Sequence, residues 1–389
     1  MSLQPETLAI RIQADRSAHQ EHAVPLYLSS SFVFNDAEQM RLRFAEEEPA
    51  NLYSRFSNPN TSELIQKICT LEGGENGWAT ATGMSAVFTT FAALLQSGDH
   101  VVSCRSIFGS THQLFTQVFP KWGINTTYVD AQASAAEWSE VITKNTKVLY
   151  VETPTNPSVH IIDLRMLASI AKAHDLLLVV DNCFATPVIQ QPLQLGADVV
   201  IHSATKYIDG QGRVLGGLIV ADEAIIEQVK FFARHSGPAM SPFNAWVLSK
   251  SMETLTIRME KHTNNATFLA ESLSNHPAVA TVRYPFLPSH PQVTVAKAQM
   301  RLGGGILAFE HKNGLAGGQQ FLNKLQLFSL TANLGDSRSI ATHPASTTHA
   351  KLSTEERLNA GITDGLIRIS AGLEADIDLL NDVLQALDE

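Results

Sequence analysis

The sequence predicts an α/β protein in which a large, doubly wound and mainly parallel sheet is followed by a smaller α+β unit. Three observations carry this. Between about residues 60 and 225, short apolar runs alternate with amphipathic segments. Beyond Asn244 the alternation stops. The 389 residues are 44% hydrophobic and 17% charged, enough apolar material for more than one core.

The first 60 residues read as an arm, because "EEEPANLYSRFSNPNTSE" has no apolar period and is rich in Asn, Pro and Ser. From 61 to 244 the strand candidates are "HVVSC", "INTTYVD", "KVLYVET", "LLLVVDN", "ADVVIHS" and "GGLIVAD". Runs that are apolar throughout are buried on both faces, and the helical patterns between them, such as "MSAVFTTFAALLQSG" and "LRMLASIAKAHD", supply the crossovers of a parallel sheet. From 245 to 389 one long helical reading, "AWVLSKSMETLTIRMEKHTNNATFLAESLSN", leads to "AVATVRYP", "RLGGGILAFEH" and "LIRISAGLE" before a terminal helix. Strands and helices that no longer alternate suggest an α+β unit.

Composition excludes several functions. A net charge of −10 without a dense basic run argues against nucleic acid or an anionic membrane surface, leaving small molecules as partners. Cys69, Cys104 and Cys183 are scattered and form no CxxC pair, so neither a disulfide framework nor a zinc site is expected. The start, "MSLQPETLAIRIQADRS", has no leader-like apolar core and no run is long enough for a membrane span, which suggests a cytoplasmic protein. His19 with His22 and His343 with His349 are the closest histidine pairs; neither lies in an HExxH-like context, and no metal is expected.

Ligands of open α/β sheets gather beyond the carboxyl ends of the strands. There "LLLVVDNC" ends in Asp181, "VLYVETPTNP" runs out to Asn156, and "DVVIHSATK" runs out through Ser203 and Thr205 to Lys206. An acid closing a buried apolar strand needs a cation. Two readings are open: a salt bridge from Asp181 to Lys206, or a bound pyridoxal phosphate, which takes a lysine as Schiff-base partner and an acid at its ring nitrogen. For a phosphate, Gly83 and Met84 in "ATATGMSA" open a helix whose free N–H groups favour an anion, although an ordinary helix start reads the same way. Tyr53 and Arg55 in "LYSRFSNPN" offer a hydroxyl and a guanidinium, unless the loop is merely solvated. Phe108 has a ring able to stack on a flat cofactor, or to fill core. "GQGRVLGG" is one residue too long for a dinucleotide fingerprint and precedes a strand, which demotes a nicotinamide dehydrogenase.

Taken in order, "YSRFSNPN", "ATGMSA", "IFGST", "ETPTNP", "VVDN", "HSATKY", "NLGD", "HPAS" and "RISAGLE" resemble the Cys/Met-metabolism (trans-sulfuration) family of pyridoxal-phosphate enzymes over nearly the whole chain. Within it, "HSATKYIDGQGRVLGG", "SGPAMSPFNAW", "LPSHPQ" and "TANLGDSRSIATHPASTTH" look most like the O-succinylhomoserine sulfhydrylases. The resemblance implies a fold-type-I, aspartate-aminotransferase-like architecture and pyridoxal 5'-phosphate as cofactor. It implies that Lys206 carries the cofactor and moves protons, and that Asp181 pairs with its pyridinium. Gly83, Met84, Ser203 and Thr205 would hold its phosphate, and Asn156 would lie by the ring hydroxyl. Tyr53 and Arg55 would reach the phosphate of a neighbouring subunit, making a catalytic dimer and, from two of these, a homotetramer. Arg368 would grip the substrate's α-carboxylate.

Two departures bear on activity. Where most relatives stack a tyrosine, this chain has Phe108, so proton steps given to that phenol elsewhere fall to Lys206, Tyr53 or solvent. Lyases of the family carry serine where Asn333 stands, and those acting on methionine tend to carry cysteine at Ser110. The expected reaction is γ-replacement on O-succinylhomoserine by sulfide, giving homocysteine for methionine biosynthesis. Asn333 counts among the substrate-facing residues, and Arg213 or Arg105 is the candidate for the succinyl carboxylate. The alternatives are cystathionine γ-synthesis, γ-elimination from methionine or cystathionine, and more remotely a dehydrogenase or a non-catalytic binding protein.

Overall fold

The computed structural model describes residues 3–348, 350, 353–359 and 361–388, so His349 lies outside the described residues. Seven strands form the large sheet: β1 (Asn76–Thr80), β2 (His100–Cys104), β3 (Asn125–Val129), β4 (Thr146–Glu152), β5 (Leu177–Asp181), β6 (Val199–Ser203) and β7 (Gly217–Ala221). Their order is β1-β7-β6-β5-β4-β2-β3. The stretch from β6 to β3 is parallel throughout. Apart from the edge strand β3, where only Val129 is buried, its strands are buried along nearly their whole length because helices such as Gly83–Leu94 and Leu164–Ala173 pack against them.

The sheet is mixed at one edge. β7 runs antiparallel to β6, and β1 antiparallel to β7. A parallel neighbour needs a crossover helix, and the segment 204–216 between β6 and β7 contains none, so the chain doubles straight back. β1, "NGWAT", escaped the sequence reading because Asn-Gly looks like a turn. Gly77 is there because the sheet is tight: a Cβ would lie 2.8 Å from the Ile219 carbonyl oxygen.

The second sheet holds β8 (Val279–Arg283), β9 (Ile306–His311), β10 (Ser329–Leu330), β11 (Ile340–Thr342) and β12 (Leu366–Ser370), ordered β10-β11-β12-β9-β8. Helices Leu255–Leu273, Gly314–Lys324 and Asp376–Leu387 supply the other side of its core, with Leu269, Phe309, Phe321, Ile367 and Leu379 buried together. The expected long helix is two, Pro242–Met252 and Leu255–Leu273. The break has a cause in hydrogen bonding: the Ser251 carbonyl accepts from the Arg258 guanidinium and from Thr254 instead of continuing the helical ladder.

Among its described residues up to Asn58, the N-terminal segment contains short helices Pro5–Arg11 and Ala37–Phe44, and otherwise only the isolated bridge Ser31↔Tyr53. Its base is stitched down by the Asn60 side chain, which accepts from Tyr27 N–H and donates to the Pro25 carbonyl. A third apolar cluster, including Phe184, Tyr207, Leu255, Met259, Ile306, Leu334 and Leu366, joins the two units directly beneath the carboxyl ends of β5 and β6.

Candidate active site

The strands β4, β5 and β6 are neighbours, with Glu152 opposite Asp181 and Asp181 opposite Ile201, so the three strand ends singled out from the sequence open onto one place. Lys206 stands in the turn after β6. That turn is fixed from below: buried Arg258 donates to the carbonyls of Tyr207 (2.6 Å) and Ile208 (3.2 Å). From above, Gly335 presses on it at φ +71°, where a Cβ would fall 2.7 Å from the Tyr207 nitrogen. Only glycine fits there, which explains the glycine of "NLGD".

The Lys206 ammonium donates to Asn333 Oδ1 at 2.6 Å. Asp181 is not its partner, and among the described residues Asp181 makes no ion pair. Its carboxylate accepts the Cys183 N–H at 3.0 Å and is 8% exposed. Burial holds its proton affinity above the ordinary carboxylate range, against the pull of Cys183 and His202. Burial also depresses the Lys206 pKa, with the charge of Arg368 acting the same way and Asp181 opposing. Of the two readings left open by the sequence, the Asp181–Lys206 salt bridge is not formed. A buried acid without a cation remains.

Arg368, in β12, is 4% exposed. Its Nη1 donates to Asn156 Oδ1 at 2.9 Å and its Nη2 to the Asn333 carbonyl at 2.9 Å, while Nε is buried without a partner. Burial pushes its pKa down to about 10. Among the described residues it makes no salt bridge, although the Glu152 charge acts on it from nearby, so the guanidinium is held in place and ready for an external carboxylate. Asn333 thus touches both cations, and Asn156 and Arg368, 212 residues apart, touch each other.

The helix Gly83–Leu94 starts with a capping box between Thr82 and Ser85. Among the described residues the N–H groups of Gly83 and Met84 have no partner. A Cβ on Gly83 would lie 2.6 Å from Ser203 Cβ, so only the missing side chain keeps the space between helix start and β6 open. Thr205 Oγ1 accepts from the Gly216 N–H at 3.1 Å at the edge of the same turn. An anion binder at a helix start, an acid lacking a cation, a guanidinium lacking an anion and a lysine with depressed pKa together fit pyridoxal phosphate.

Of the other expected residues, Phe108 borders this cluster through Glu152, whereas Tyr53, Arg55, Arg213 and Arg105 lie apart from it. Phe108 is 43% exposed, with its N–H on Glu152 Oε2 at 2.9 Å. Tyr53 is 42% exposed; Arg55 stacks on Tyr53 and Phe56 and donates to the Arg234 carbonyl. Neither touches Lys206, Ser203 or Gly83. Arg213 is bound to buried Asp209 (Nε to Oδ1, 3.0 Å) and to Ser251, an arrangement that braces the loop after Lys206. Arg105 is exposed and lies over the Tyr128 ring at 5.8 Å. Two site residues escaped the sequence reading: Glu152, although it closes an apolar strand just as Asp181 does, and Cys183, whose Sγ receives the Ser203 N–H. Among the described residues no cluster of His, Cys, Asp or Glu suits a metal, and no helix is long and apolar enough to cross a membrane.

Comparisons with known proteins bear on the fold and the cofactor. The family profile described as "Cys/Met metabolism PLP-dependent enzyme" matches residues 6–388. An O-succinylhomoserine sulfhydrylase of Pseudomonas aeruginosa is 46% identical over 382 residues, covering 98% of this chain and 94% of that protein. An L-methionine gamma-lyase of Fusobacterium nucleatum subsp. polymorphum is 42% identical, covering 98% of each. Among solved structures, a proposed O-acetylhomoserine (thiol)-lyase of Campylobacter jejuni, which contains an N'-pyridoxyl-lysine-5'-monophosphate, superposes with a TM-score of 0.95 at 34% identity over 100% of both chains.

Proposed function

Because the chain belongs to the Cys/Met metabolism family of pyridoxal-phosphate-dependent enzymes, we propose that it replaces the γ-acyloxy group of an O-acylhomoserine, O-succinylhomoserine foremost, with sulfide to give homocysteine for methionine biosynthesis. The observation that carries this is the line Lys206–Asn333–Arg368–Asn156, which sets a base beside an arginine that, among the described residues, makes no salt bridge. The cofactor, when bound, supplies an electron sink for the carbanion at the substrate's α-carbon.

The chain's own residues do the rest. Gly83, Met84, Ser203 and Thr205 hold the phosphate, and Tyr53 and Arg55 reach that of a neighbouring subunit in a homotetramer built from catalytic dimers. Asp181 keeps the ring nitrogen protonated. Arg368, steadied by Asn156 and Asn333, binds the substrate's α-carboxylate. Lys206, with its pKa lowered by burial, is the base that takes the α-proton and later returns it. Phe108 covers the ring without trading protons, so Lys206, Tyr53 and solvent carry all proton traffic. With Arg213 engaged by Asp209, Arg105 is left as the candidate for the succinyl carboxylate.

The 42% identical methionine gamma-lyase favours a second reading, γ-elimination on the same residues. Product analysis decides between them. The holoenzyme with O-succinylhomoserine should form homocysteine when sulfide is present. Cystathionine with cysteine as the preferred nucleophile, or 2-oxobutanoate and ammonia unchanged by added sulfide, would replace this assignment.

A further inference from the structure

Glu152 ends β4 and is 4% exposed, directly opposite Asp181. Burial, and then the neighbouring Asp181 carboxylate, raise its proton affinity. The Arg368 charge pulls the other way, but among the described residues no cation lies within ion-pair distance of it, so the fold sustains a costly group for some other reason. Its oxygens are divided between two loops. Oε2 accepts the Phe108 N–H at 2.9 Å, and Oε1 accepts the Asn156 N–H at 2.8 Å. Phe108 belongs to the loop after β2, whereas Asn156 belongs to the loop after β4 and its side chain holds Arg368.

We infer that Glu152 is a positioning residue: its one carboxylate ties the loop bearing the Phe108 ring to the loop bearing the Asn156–Arg368 clamp, and so sets the distance between the aromatic face and the substrate's α-carboxylate. The inference rests on the reading of Arg368 as that carboxylate's partner. A carboxylate suits the task because both oxygens accept hydrogen bonds. A glutamine offers one acceptor and one donor, and would confront either the Phe108 or the Asn156 N–H with another donor.

The test compares Glu152→Gln with the parent holoenzyme, using L-norvaline, an amino acid without a γ-leaving group, as a binding probe read from the cofactor spectrum. Norvaline affinity should fall about tenfold, and KM for the acylhomoserine should rise with it, as loss of one buried hydrogen bond predicts. Cofactor affinity, measured by titrating the apoprotein, should change less than about threefold. A variant that melts earlier yet binds norvaline as the parent does would make Glu152 merely structural and overturn the inference. Should Glu152→Gln fail to fold, amide exchange on the unaltered protein decides. The Phe108 and Asn156 amide protons should be protected on the order of a hundredfold in apoprotein and holoenzyme alike; exchange at free-peptide rates would overturn the inference. A protein that takes up no cofactor would refute the proposed function instead, and the exchange measurement would still report on the Glu152 tie.

Discussion

Replacing Arg368 tests the proposed carboxylate clamp most directly. Two of the guanidinium nitrogens are held at 2.9 Å by Asn156 and Asn333, so the side chain is oriented before any ligand arrives. Charge-assisted hydrogen bonds contribute about 1.5–3 kcal/mol each. A forked guanidinium–carboxylate contact makes two, so Arg368→Ala should lower kcat/KM by roughly 3–6 kcal/mol, on the order of 10²- to 10⁴-fold. Arg368→Lys keeps the charge without the fork and should cost about 10- to 100-fold. Arginine in a structural ion pair would leave an orphaned carboxylate on removal, whereas Arg368 leaves only the Asn156 oxygen and the Asn333 carbonyl. Loss of activity should therefore exceed loss of stability. Steady-state kinetics on the acylhomoserine, norvaline titration and thermal melts on the same preparations measure the three effects. A loss of kcat/KM of threefold or less in a folded, cofactor-loaded Arg368→Ala enzyme would refute the reasoning.

Two further outcomes follow from the same geometry. Gly83→Ala would set a methyl 2.6 Å from Ser203 Cβ, so apoprotein titration should show cofactor affinity falling at least about tenfold, with a folding cost of about 1–3 kcal/mol from overpacking; unchanged affinity would remove Gly83 from the phosphate site. Burial holds the Lys206 pKa below the ordinary 10.5, so the unfolded chain binds more protons between the two values and apoprotein stability contributed by this group rises with pH across that interval. Lys206→Met should therefore melt higher than the parent apoprotein at pH 7, with the gap closing as pH approaches 10.5. A gap that does not vary with pH would mean that Lys206 is not desolvated.

The site was legible in the sequence where chemistry follows from position on a strand. Asp181, Asn156 and Lys206 could be placed together because apolar runs fix strand ends, and ligands gather at those ends. Glu152 obeys the same rule; it was missed because its partners are backbone N–H groups, which leave no trace in residue identity. Arg213 had the charge for an anion, but its partner Asp209 lies one helical turn's spacing away and claims it locally. The reversed β7 could have been read from the missing crossover helix, whereas β1 could not: its glycine serves an approach to Ile219 made 142 positions further on.

By itself, the sequence determined the alternating architecture, because strand burial, turn chemistry and helix capping are local and each is written in a few adjacent residues, and the order of its motifs carried the family resemblance from which the proposed cofactor-facing groups follow. Only the tertiary structure decided who meets whom. Lys206 pairs with Asn333 rather than Asp181, Asn156 meets Arg368 across 212 positions, and Gly335 closes on Tyr207. Such partners are chosen by how two separately built units pack across a shared apolar seam, and desolvation at that seam turns ordinary charged residues into an unpaired acid, an unpaired arginine and a lysine ready to give up its proton.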